Sequence, residues 1–377
     1  MKSAIVIGGG ILGTATAWRL AEYGVEVTLL EANDTLGDGA SRASFAWLNA
    51  SAKPPKHYHQ LNVDGMNYYR RLADELGCPR WLHFDGHIEW DGSDHGAATL
   101  QEKVDRLVDW GYTAELLPIA ELRNLEPDLI APDGVDQFAY YSHEGYINPV
   151  DMIGDFGAMA RHHGAVIRTG TRVRELIVSG DRVTGVVTEA GETLGADVVV
   201  SCVGAVSPHL LEQVGLELPM APTTGMVAVS SPTSVRLKAI HHDHLMNIRP
   251  DGAGRIMMRH YDFDDMVSPD TPETPIPSFM DGLLERVATV LPGIAHARID
   301  SIRITTRPIP GDGKPVIGPI DHLEGLYIMV THSGVTMGPL LGHIAAREIT
   351  TGQADPRLEH FRPGRMISVA KEPIREN

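Results

Sequence analysis

Ala4-Ile5-Val6-Ile7-Gly8-Gly9-Gly10-Ile11-Leu12-Gly13 begins at the fourth residue, and a second apolar run, Val25-Glu26-Val27-Thr28-Leu29-Leu30, ends in Glu31. Four consecutive apolar residues suit a parallel strand buried on both faces. Gly8 permits the tight turn after the strand, Gly10 lets the backbone approach a pyrophosphate, and Gly13 lets helix and strand pack closely. The N–H groups at the helix start, around Ile11 and Leu12, then face the phosphates. Glu31, followed by Ala32, offers a carboxylate to both hydroxyls of an adenosine ribose and repels a 2′-phosphate. A glycine triplet alone fits any tight strand-to-helix turn. Here the triplet, an amphipathic helix through Leu12, Ala15 and Leu20, the stop at Gly24, the second strand and the acid arrive in register, which specifies a dinucleotide-binding βαβ unit.

The remaining composition bounds the protein class. At 377 residues, 43% hydrophobic and 21% charged, the chain has the make-up of an ordinary globule, long enough for two domains or one two-lobed unit. A formal net charge of −17 with no basic cluster excludes nucleic acid as a partner, because phosphate binding is driven by Lys and Arg. No stretch shows the charged, apolar and cleavable layout of a secretory signal, and no apolar run approaches the roughly 20 residues of a membrane span, so a cytoplasmic protein is expected. Cys78 and Cys202 are too few and too far apart for a disulfide framework or a thiolate metal site. Cys202, inside Val198-Val199-Val200-Ser201-Cys202-Val203, reads as a small core residue.

Leu36 to Pro55 lacks periodicity and is rich in Gly, Ser and Ala; a loop of that length in a compact domain is usually functional. Helical periodicity follows over Leu61 to Leu76, at Leu100 to Val108, and from Asn148-Pro149 to Gly164. From Ala165 the texture is β: segments 165–168, 172–178 and 182–188 are expected to form a small meander, followed by a buried strand at 197–203 ending in Gly204-Ala205. Residues 223–231, 244–249 and 255–260 read as strands of a separate antiparallel sheet with a turn at Asp251-Gly252. Strand Leu326 to Val330 then leads through Thr331-His332-Ser333-Gly334 into a last helix. A helix N-terminus there can stabilise negative charge on the N1/O2 edge of a reduced flavin.

On these residues the chain resembles the D-amino acid oxidase superfamily of FAD-dependent oxidoreductases, the group of glycine oxidase, sarcosine oxidase and D-amino acid dehydrogenases. The likeness rests on Gly8/Gly10/Gly13 with Glu31, on Gly39-Ala40-Ser41, on Gly145-Tyr146-Ile147-Asn148-Pro149, on Val198 to Ala205, on Arg307-Pro308 with Asp312 to Gly318, and on His332-Ser333-Gly334. It implies an α/β architecture in which a Rossmann-like, GR2-type FAD-binding domain (1–85, 145–222 and 305–377) interleaves with an antiparallel-sheet α+β substrate domain (86–144 and 223–304). It implies noncovalent FAD, since the Cys and early His used for attachment by some relatives have no counterpart here. Ser41 and Arg42 are expected to line the pyrophosphate and flavin, Val173 to meet the adenine through its backbone, and Gly204, Ser333, Gly334, Val335 and Thr336 to approach the flavin.

Arg307 inherits from the resemblance the pairing with a substrate carboxylate, where a guanidinium gives two parallel charge-assisted bonds; pairing with an internal Asp is the structural alternative. Trp47, Asn49 and Tyr261 are candidate substrate-contacting walls, and His332 a candidate catalytic neighbour of the flavin. His241-His242-Asp243-His244 resembles a metal cluster, but alternate side chains of a strand point to opposite faces and no further ligand lies nearby in sequence, so no metal is expected. The implied activity is oxidation of the C–N bond of an amino acid or secondary amine by hydride transfer to flavin N5, with O2 or another acceptor taking the electrons; a homo-oligomer is compatible with it. Three alternatives share parts of the pattern: a 2-hydroxy acid oxidase or dehydrogenase, which needs a base such as His332 or His260; an aromatic-ring monooxygenase, disfavoured by Gly313-Lys314-Pro315 after Gly311-Asp312; and a flavin-binding subunit of a multi-chain amine dehydrogenase.

Overall fold

In the computed structural model, which describes residues 3–93 and 96–369, β1 (Ser3–Ile7), α1 (Ile11–Glu22) and β2 (Glu26–Leu30) form the βαβ unit read from the sequence. Ala4 to Ile7 are buried because parallel strands flank β1 on both sides and packed layers cover both faces. On one side Ala4–Ile7 pair with Val198–Ser201, and beyond these lies Leu323–Val330, Val199 opposing Leu326. On the other side lies β2. The carboxyl ends of all four strands therefore reach one edge, bringing Gly8, Glu31, Gly204 and Thr331 to the crevice where ligands of such sheets bind.

One part of the expected meander is placed differently. Val166–Arg168 is the edge strand of the parallel sheet, pairing with Thr28–Leu30, and the meander consists of Val173–Ser179, Arg182–Thr188 and Thr193–Gly195. Sequence texture cannot tell these apart, since a short β segment carries no record of its neighbour. Asn148 precedes Pro149 at the first helical position of Pro149–His162, but its side chain makes no capping bond.

Glycines set the layer spacing. A Cβ on Gly13 would overlap the Gly8 carbonyl oxygen, and Gly8 itself has φ +101°, so the turn and the helix packing each require glycine. The C-terminal helix Gly334–Thr351 packs on α1 just as closely: side chains at Gly338 and Gly342 would run into Ile11 and Ala15.

The second sheet has eight strands in the order Ile299–Arg307, Thr223–Ser230, Ile256–His260, Met246–Pro250, Ile240–His242, His87–Glu89, Gln137–Tyr141 and Glu115–Pro118. It carries its own apolar core, including Trp90, Phe138, Ile248 and Met258. A small sheet of Trp47–Leu48, Gly145–Ile147 and Leu82–His83 joins the layers.

Candidate active site

One cleft of about 740 Å3 runs from the carboxyl edge of the parallel sheet to the face of the antiparallel sheet. At its nucleotide end stand Gly8, Gly10, Ile11, Leu12, Glu31, Ala32, Ser41 and Val173. Glu31 is buried; its Oε2 accepts the Gly9 N–H at 2.6 Å and its Oε1 the Asn33 N–H at 2.8 Å, so the acid also fixes the glycine turn. Ser41 Oγ accepts the Ile11 N–H at 3.2 Å and ties the long loop to the start of α1. Gly13 lies behind this wall as a packing residue. Arg42 departs from its expected place: it is not part of the cleft wall, because its guanidinium is satisfied by Asp38 at 2.9 Å and by Glu273 at 2.8 Å, with which it lines a separate pocket.

Midway, Gly204, Ser333, Gly334, Val335 and Thr336 line the wall. Ser333 precedes the C-terminal helix and shares a 2.6 Å hydrogen bond with Tyr58, while Thr336 donates to Trp47 O at 3.2 Å and accepts from the Asn49 N–H. Asn49 is buried and lines the cleft, and its Oδ1 accepts no hydrogen bond among the described residues.

At the far end the antiparallel sheet presents Arg259 and Arg307, with Tyr261 just past the strand end, and Trp47, Lys53 and His332 line the same cleft. Arg307, the last residue of its strand, lies back across Gly225 of the neighbouring strand, and a Cβ on Gly225 would overlap the guanidinium. Its Nη2 donates to Asp264 Oδ2 at 2.7 Å and its Nη1 to Thr223 Oγ1 at 3.2 Å. Arg259 Nε donates to the same Asp264 oxygen at 2.9 Å and stacks over the Tyr261 ring, whose hydroxyl donates to Asn247 Oδ1 at 3.1 Å. Arg307 thus pairs with an internal carboxylate, the structural alternative read from the sequence, while it also lines the cleft. His332 keeps surface open to the cleft, yet the surrounding walls and then the charges of Lys53, Arg307 and Arg259 lower its pKa to about 4, so it is neutral at physiological pH.

Beneath Trp47 lies a buried polar network. Glu144 Oε1 accepts from the Ala50 and Ser51 N–H groups at 2.9 and 2.7 Å and from the Tyr112 hydroxyl at 2.9 Å; Oε2 accepts from Trp47 Nε1 at 3.1 Å and faces His87 Nδ1 at 2.9 Å. Burial alone would raise the Glu144 pKa, but His87 and the two N–H groups outweigh it and hold the acid ionised.

A protein-family model described as FAD dependent oxidoreductase matches residues 3–348. The chain belongs to the FAD-dependent oxidoreductases. It is similar to the glycine oxidase of Bacillus licheniformis, 27% identical over 349 residues and 91% of each chain, and to the D-amino acid dehydrogenase of Xylella fastidiosa (strain M12), 24% identical over 91% of this chain and 90% of that one. The crystal structure of glycine oxidase from Geobacillus kaustophilus superposes with a TM-score of 0.86 at 23% identity, over 98% of this chain and 100% of that one, which shows a common fold.

The residues of this FAD-dependent oxidoreductase fit its cofactor. A glycine-walled turn at a helix start, an acid at the end of the second strand, and a continuous groove to the antiparallel sheet suit pyrophosphate, ribose and ring in one line, and the orphaned Asn49 Oδ1 faces that groove. Among the described residues no helix of the oxidoreductase is long and apolar enough to cross a membrane.

Sequence reasoning missed Lys53, Arg259, Asp264, Gly225 and Glu144. Only two had a signal: Lys53 belongs to the aperiodic loop, and an isolated glycine within a strand marks close approach of another group. The histidine run also has more company than its sequence shows. His241 turns into the core against Asp243 and Trp90, while His242 on the opposite face meets His87 and Glu89 from the adjacent strand. Glu89 in that trio is already held by Lys103 at 2.6 and 2.8 Å and by the Tyr141 hydroxyl at 2.9 Å, and an ammonium in that position opposes a second cation.

Proposed function

We propose that the protein oxidises the C–N bond of an amino acid or secondary amine to an imine, which water then hydrolyses. The observation that carries this reading is Arg307, a guanidinium held on a rigid strand at the substrate-sheet end of the cleft that begins at the Gly8–Gly13 turn. FAD, when bound, supplies the two-electron acceptor for the chemistry. In this reading Gly8, Gly10, Ile11, Leu12, Glu31, Ala32, Ser41, Val173 and Gly204 hold it, with Gly13 shaping the turn and Ser333 to Thr336 at the flavin end. Cys202, whose thiol burial pushes up to about 12, stays protonated, which supports noncovalent binding.

Arg307 fixes the substrate carboxylate, so that the reacting carbon has a defined place and the entropy of orientation is spent in binding. Trp47, Asn49 and Tyr261 wall the site and exclude water. The amine enters unprotonated and loses its second proton to water as the imine forms, so the chain needs no strong base. A 2-hydroxy acid would need one at its hydroxyl, and His332, with a pKa of about 4, holds a proton too weakly to serve well. The test is anaerobic mixing of the flavoprotein with D-amino acids, N-methyl amino acids, cyclic imino acids and 2-hydroxy acids while following flavin absorbance. Bleaching by amines and not by hydroxy acids is expected; bleaching by hydroxy acids alone refutes the reading.

A further inference from the structure

One carboxylate on Arg307 leaves much of the charge at that end of the cleft unanswered. Arg259 and Arg307 share a single acid, Asp264, whose other oxygen accepts the Met226 N–H at 3.0 Å. The three groups together retain one positive charge. Lys53 adds an ammonium to the wall of the same cleft. Its side chain is half-buried in the cleft wall, and its ammonium makes no hydrogen bond or ion pair among the described residues. The acid that acts on it, Glu144, is already occupied by Ala50, Ser51, Tyr112, Trp47 and His87. His332, which lines the same cleft, is neutral, and the acidic residues in the cleft wall among the described residues, Glu31 and Asp38, are bound to the glycine turn and to Arg42.

A cation kept in a cleft wall without a direct hydrogen-bonding partner is costly unless a ligand supplies one. Burial lowers the Lys53 pKa to about 8 despite the opposing pull of Glu144. Lys53, Arg259, Arg307 and His332 all line the same cleft, and the three cations all act on His332. An ammonium without a direct partner and a guanidinium in the wall of one cleft match a ligand with two anionic ends.

We propose that the substrate is a dicarboxylate amine, with the carboxylate next to the reacting carbon on Arg307 and a second, distal carboxylate on Lys53. The proposal rests on the amine-oxidising reading and narrows it. Lys53 is then a specificity-determining residue, and a monocarboxylate substrate leaves its charge unpaired.

The test uses the FAD-loaded enzyme and substrate pairs that differ only in the distal carboxylate: N-methylglycine against N-(carboxymethyl)glycine, and D-alanine against D-aspartate. In anaerobic rapid mixing, kred/Kd is expected to favour the dianionic member by at least about tenfold, the scale of one hydrogen bond to a charged group. Lys53→Met should erase most of that preference and Lys53→Arg restore most of it. In the unmodified enzyme the preference should shrink as pH rises through about 8, where Lys53 loses its proton. Turnover-independent binding gives a second readout: succinate should perturb the flavin spectrum at lower concentration than propionate. Equal constants within each pair, or an equal loss on both members in Lys53→Met, would overturn the proposal and assign the charge to the cofactor or to proton transfer. If no amine bleaches the flavin but succinate still outcompetes propionate, the amine reading fails and the two-anion site stands; equal binding of the two acids removes the site.

Discussion

Gly225→Ala tests the placement of Arg307 without touching its charge. The Arg307 guanidinium occupies the space where a Cβ at position 225 would stand, overlapping it by about 1 Å or more relative to ordinary carbon contact. The strand carrying Gly225 is paired along its length with Ile299–Arg307, so the backbone cannot yield and the side chain must lift. Lifting lengthens the 2.7 Å bond to Asp264 and the 3.2 Å bond to Thr223 together. Displacement of an anchoring group by about 1 Å costs on the order of 100-fold in rate, because the reacting carbon moves with it. We therefore expect kcat/KM for carboxylate-bearing amines to fall roughly 100-fold, about 2.7 kcal/mol, while FAD content is retained. Steady-state kinetics beside flavin absorbance per protein separate the two effects. An unchanged kcat/KM in a flavin-loaded Gly225→Ala enzyme would show that Arg307 does not position substrate.

Arg307→Leu, which removes the guanidinium, should cost on the order of 100-fold in kcat/KM for amino acids, mostly through substrate affinity, and far less for an amine lacking a carboxylate; equal losses on both would remove Arg307 from the binding site. Gly13→Ala should yield protein without flavin colour, since the added methyl displaces the Gly8 carbonyl and with it the phosphate turn; a fluorescence titration with FAD giving an unaltered Kd would contradict this. Glu144→Gln should lower stability by about 3 kcal/mol, because an amide nitrogen cannot accept the Trp47 N–H or answer His87 as the carboxylate does, measurable as a drop in Tm. Its pH signature has a fixed sign. The folded Glu144 pKa lies below the ordinary 4.5, so its stabilisation is present above 4.5 and is lost as pH falls through the lower folded value. The variant should lack that share of the acid destabilisation, and an identical acid-unfolding midpoint shift in both proteins would refute it.

The nucleotide half of this site was legible in the sequence because its parts are contiguous. A strand, three glycines, a helix and an acid within thirty-one residues leave little freedom, and each glycine has a local steric reason that one strand–turn–helix already contains. The end of the cleft at the antiparallel sheet is assembled from afar. Lys53, Gly225, Arg259, Asp264 and Arg307 come from separate stretches, and nothing near Asp264 in the chain announces that two guanidinia will share it. The same limit hid the partners of His242 and made Val166–Arg168 resemble a meander strand. Alternation along one segment fixes which face a side chain takes, whereas its partner depends on strand order and register, and these are settled only when sheets and helices pack together.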